Sequence, residues 1–171
     1  MSLLSRLFTS QPDPREELRP LWHRVVELSR EPALYRDDGV ADCVPGRFDM
    51  IAAILVLVML RLERDELADE NVLLTELFVA DMDGQLRESG IGDLVVGKHV
   101  GKLVAALGGR LGAFREALAS KEDELLEAAL TRNTTMADGR DTAALARRLR
   151  AFADQLAALD SDEVLAARFA L

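Results

Sequence analysis

The stretch MIAAILVLVML, residues 50–60, decides the fold of this chain. It runs for 11 residues without a charge, between Asp49 and Arg61. A helix that crosses a bilayer needs about 20 apolar residues, so the run is too short to span a membrane. It reads instead as a helix that is apolar all round, which belongs at the centre of a fold.

Helical signals continue on both sides. Periodicity and end signals predict helices over 17–30, 31–36, 47–64, 68–89, 93–119, 121–132 and 142–159, with a short last one from Asp160. Pro20 is expected to begin the first stable helix after a lead-in turn. The segment DDGVADCVPG, residues 37–46, is the longest loop signal, and no stretch alternates in the manner of a strand. The fold class predicted is all-α, a single compact multi-helix domain with a central apolar helix. Residues 17–171 make up that domain, and residues 1–16, which open MSLLSRLF, are expected to be a flexible or membrane-touching segment.

Composition narrows the function. At 171 residues, 49% hydrophobic and 30% charged, the chain has the balance of one globular domain with its own core. His23, His99 and the single Cys43 cannot furnish a disulfide framework or a Cys/His zinc site. With no secretory signal visible, a cytoplasmic location is expected, with peripheral contact at the inner face of the cytoplasmic membrane allowed. The formal net charge is −9. Residues 61–93 hold three arginines against ten acids, whereas residues 94–119 hold four basic residues against Glu116 alone. The chain is thus acidic with one basic helix, which disfavours DNA as a partner.

That basic helix has three sides when wheeled at about 100° per residue. Val96, Val100, Leu103, Val104, Leu107, Leu111, Phe114 and Leu118 share the arc expected in the core. Gly97, Gly101, Gly108 and Gly112 line a second arc with Ala105. Each helical glycine costs about 1 kcal/mol relative to alanine, so four on one face predict a close approach by another helix. Lys98, His99, Lys102 and Arg110 take the remaining side and are the candidate partner-binding residues.

On the preceding helix Leu74, Leu77, Phe78, Met82 and Leu86 form the apolar arc, and Asp81 falls inside it. A carboxylate turned toward a core costs several kcal/mol unless paired, so Arg47, Lys98 or Arg110 is expected to answer it. Asp83 and Arg87 make an i,i+4 pair on the opposite face. The stretch around Asp81, Asp83 and Gly84 resembles the start of a calcium loop, but neither register supplies both the glycine at position 6 and the glutamate at position 12.

Catalytic readings find no support. Neither histidine has an acid three residues before it, as a di-iron bundle requires. Gly108, Gly109 and Arg110 follow no strand that would make a phosphate loop. Asp42 and Asp49 put negative charge near Cys43 in the sequence, where activating a thiol calls for positive charge. Trp22, Tyr35 and Phe48 read as core anchors. No enzyme, cofactor or metal is expected.

Several pieces, taken in order, resemble one family. A tryptophan-bearing first helix is followed by Pro32 to Tyr35, by Gly39 to Asp42, and by Gly46-Arg47-Phe48 opening the apolar helix that closes with Arg61-Leu62. Then come Asp81 and Asp83 with Leu86-Arg87-Glu88, Gly90, Gly92-Asp93, Val96-Gly97-Lys98, and finally Arg132-Asn133. Over residues 18–133 this set is similar to the ubiquinol-cytochrome c chaperone family, assembly factors of the cytochrome bc1 complex, in its bacterial form. Residues 141–171 add C-terminal helices. The resemblance implies an all-helical, non-enzymatic protein that binds newly made cytochrome b and promotes assembly of the complex. Its implied partners are cytochrome b or bc1 assembly intermediates, with the ribosome or a small partner protein as additional ones. Ile54 stands where relatives commonly have histidine, and Cys43 where they often have threonine. The first change weakens any contact of that helix with haem. The alternative is a helical binding module for a small apolar ligand such as a lipid or quinone, which would need a closed internal pocket.

Overall fold

The computed structural model describes residues 13–88 and 93–171, with the side chains of 86 and 93–99 outside that description. The expectation for residues 1–16 therefore falls almost wholly outside the described residues. Eight helices account for them: α1 Arg15–Leu28, α2 Pro32–Arg36, α3 Val44–Glu63, α4 Ala68–Glu88, α5 Asp93–Ala119, α6 Asp123–Asn133, α7 Ala143–Ala158 and α8 Ser161–Leu165. Among the described residues the β contribution is one isolated bridge between Val40 and Met136. No described helix is long and apolar enough to cross a membrane.

The apolar run lies where its composition places it. Every residue from Met50 to Met59 is buried, and α3 packs against α1, α4, α5 and α7. An aromatic line ties three of these helices together: Trp22 of α1 meets Phe78 of α4 edge-on at 6.1 Å, and Phe78 meets Phe48 of α3 at 6.1 Å. Trp22 is buried, while Phe48 and Tyr35 are partly buried against the core.

Two helix starts differ from expectation. Helix α3 begins at Val44 rather than residue 47, because Pro45 sits in the first turn, where its missing N–H costs nothing. Helix α1 begins at Arg15 and runs through Pro20. Its start is set by Asp13, whose carboxylate accepts from the Arg15 backbone N–H at 3.0 Å and from the Arg15 guanidinium at 2.9 Å.

The loop before α3 is held from the far side of the fold. Ala41 N–H donates to Thr135 O, and Ala137 N–H to Gly39 O, each at 2.9 Å. Buried Asp38 accepts from Arg148 of α7. Gly46 permits this closeness, since a Cβ there would lie 2.0 Å from the Ala41 carbonyl oxygen. Gly39 supplies the left-handed backbone the turn requires, with φ +83°.

Candidate functional site

Helix α5 is both the longest helix and the one that carries the sequence's candidate partner residues. Its buried stripe is Leu107, Arg110, Phe114 and Ala117, spaced as one helical face. Arg110 therefore points inward and is 8% exposed, which corrects its expected place on the basic outer side. Val104, expected in the core, is 40% exposed.

Arg110 answers a carboxylate, but not the expected one. Its Nη2 donates to Asp49 Oδ1 at 2.5 Å and to Asn133 O at 2.9 Å, and its guanidinium lies 5.6 Å from the centroid of the Phe48 ring. The second Asp49 oxygen accepts from the Thr135 N–H at 2.9 Å and from the Thr135 hydroxyl at 2.8 Å. Asp49 and Arg110 thus bind α3, α5 and the chain after α6 at one point. The charge at the edge of the apolar run was visible in the sequence. That it turns inward depends on where α5 and residue 135 fall.

Asp81 is only half-buried and accepts from Gln85 at 3.4 Å. Of its expected partners, Arg110 is bonded to Asp49, and exposed Arg47 is bonded to Asp42 at 2.7 Å. The Arg47 guanidinium holds the Asp42 carboxyl below the usual carboxylate range. Lys98 lies outside the described side chains. Asp81 stands at the margin of the α4 apolar arc, where its carboxylate reaches the α1–α4 cleft. The Asp83–Arg87 pair forms as expected, at 2.9 Å.

The glycine face is also different. A Cβ added at Gly101, Gly108 or Gly112 would meet nothing within 4 Å, so no helix of the described chain packs closely there. Gly101, Lys102, Val104, Ala105 and Gly108 are exposed. The arc keeps its geometry but faces outward because the buried stripe is rotated toward Arg110. Gly97 and His99 lie outside the described side chains.

The clefts described around these residues open to the surface. One, of about 430 Å³, is floored by Leu57, Leu60, Leu118 and Ala153 between α3, α5 and α7. Arg61 on its rim donates to the carbonyls of Leu156 at 2.9 Å and Leu159 at 2.6 Å, closing the end of α7. Among the described residues no group of three or more His, Cys, Asp or Glu is placed to hold a metal ion.

Residues 36–171 match the family model described as ubiquinol-cytochrome C chaperone. The chain belongs to the ubiquinol-cytochrome c chaperone family. A crystal structure of the Cbp3 homolog from Brucella abortus aligns with a TM-score of 0.77 at 27% sequence identity, over 91% of this chain and 88% of that one. No curated protein matches. Family and fold point to a non-catalytic assembly factor with a general role in assembly of the bc1 complex. The family match runs from residue 36 to the last residue and so spans α7 and α8.

Proposed function

We propose that this protein binds newly made cytochrome b and holds it for assembly into the ubiquinol-cytochrome c reductase complex. The outward face of α5 carries this reading, with Gly101, Ala105 and Gly108 leaving room for a close helix approach beside exposed Val104. Helices of a membrane protein pack through such small residues, which let backbones come near. Lys102, with Lys98 and His99 from the same helix, is proposed to meet acidic loops of the client. Arg110 has no part in this contact, being committed to Asp49.

Two measurements test the proposal. Deleting the gene should lower the amount of assembled bc1 complex, and normal levels would end the reading. Lys98→Glu with Lys102→Glu should reduce co-purification of cytochrome b while the helical content stays unchanged. Undiminished co-purification would remove the lysines from the contact.

A further inference from the structure

The ends of α1, α2 and α3 meet in a second kind of cleft, about 610 Å³ in volume and lined by Arg30, Pro32, Tyr35, Arg36, Asp42 and Arg47. Three guanidiniums there face one lining carboxylate, in a chain of formal net charge −9. Arg47 is paired with Asp42, and Arg36 with Asp37, through side chains 48–73% exposed. Exposed pairs of this kind are weak and exchange readily for another carboxylate. The Arg30 side chain has no carboxylate partner among the described residues. Asp42 and Arg47 of that lining flank the start of α3, a 20-residue helix whose N-cap, Cys43, makes no side-chain cap bond.

The apolar part is arranged for contact as well. Tyr35 is fixed by its hydroxyl, which donates to Ser29 O at 2.6 Å, so its ring is held in place before any partner arrives. Val44, in the first turn of α3, is 83% exposed and is the most exposed large hydrophobic residue described. Arginine and tyrosine are residue types enriched at protein–protein contacts, and Val44 stands in the chain between Asp42 and Arg47 of the lining. Arg30 also lines the α1–α4 cleft together with Arg19 and His23, so the groove continues along α1.

We propose that this cleft docks an acidic segment of a partner protein. Its carboxylates lie on Arg30, Arg36 and Arg47, and one apolar side chain rests against Tyr35 and Val44. The surface is separate from the α5 face, so the two contacts fail independently.

Fluorescence anisotropy of the full chain with a labelled peptide of alternating glutamate and phenylalanine tests it. Saturable binding is expected. The triple variant Arg30→Ala, Arg36→Ala, Arg47→Ala should weaken it about tenfold, in line with the loss of several exposed charge contacts. Val44→Ser should weaken it about threefold without changing charge. A control that removes the same charge elsewhere, Arg64→Ala, Arg132→Ala, Arg168→Ala, should stay within about twofold. Circular dichroism reports that each variant is folded. The proposal fails if the peptide does not bind, if the control loses as much as the triple variant, or if a lysine–phenylalanine peptide binds equally well. Tighter binding of oligouridylate or phosphatidylglycerol vesicles through the same three arginines would overturn it in favour of a nucleic-acid or membrane surface.

Discussion

Replacing Gly101, Gly108 and Gly112 by alanine should make this protein more stable and less useful. Each glycine lies inside the 27-residue helix α5, and an added Cβ meets no atom within 4 Å, so no clash opposes the change. Glycine costs about 1 kcal/mol relative to alanine in a helix interior, so the triple variant should gain roughly 3 kcal/mol if the sites act independently. Such a gain is a large fraction of a typical total stability of about 5–15 kcal/mol. For a domain of this size it corresponds to a rise in Tm of roughly 6–12 °C. Urea unfolding followed by the fluorescence of buried Trp22 measures it directly. A destabilised triple variant would refute the reasoning, because it would mean that the face is packed in the folded chain. The same variant separates stability from function. If a client helix approaches this face closely, three methyl groups hold it off, and assembled bc1 complex should fall although the chaperone is more stable. A stabler protein with full assembly activity would leave the glycines without a client role.

Three further outcomes follow from the packing. Gly46→Ala places a Cβ 2.0 Å from the Ala41 carbonyl oxygen, a backbone atom. A loss of at least about 3 kcal/mol is expected by urea titration, and a loss under about 1 kcal/mol would show that the loop yields. Asp49→Ala leaves Arg110 buried without its counter-charge and should cost about 3–5 kcal/mol, whereas Asp49→Leu with Arg110→Met should recover much of that loss. If the double variant is no more stable than the single one, unpaired charge is not the cause. Glu66 holds a left-handed backbone, φ 61°, in the turn after α3. Glu66→Gly should stabilise by about 1 kcal/mol by relieving it, which thermal unfolding can detect.

The two surfaces proposed for partners differ in how the sequence encodes them. The α5 face is written as a period of small residues and can be found by wheeling the helix. The cleft at the start of α3 joins Arg30 from the turn after α1, Arg36 from α2 and Arg47 from α3. No period connects them, and Val44 reads in sequence as an ordinary residue of a loop signal.

By itself the sequence determined the helices, their order and the central place of residues 50–60, because helix periodicity and apolar length are local properties. The span of α5, Asp93–Ala119, could be read from its ends, as could the Asp83–Arg87 pair, whose spacing alone makes the two side chains neighbours. Only the tertiary structure decided which way each face turns. A rotation of α5 by part of a turn brings Arg110 inward and leaves Val104 and the glycines outside. That rotation is set by Asp49 on α3 and by Thr135 beyond α6, residues 61 and 25 positions away in the chain. A helical wheel carries the spacing of side chains around an axis. It does not carry the angle at which the rest of the molecule meets that axis, and a buried ion pair formed across long sequence separations fixes that angle here.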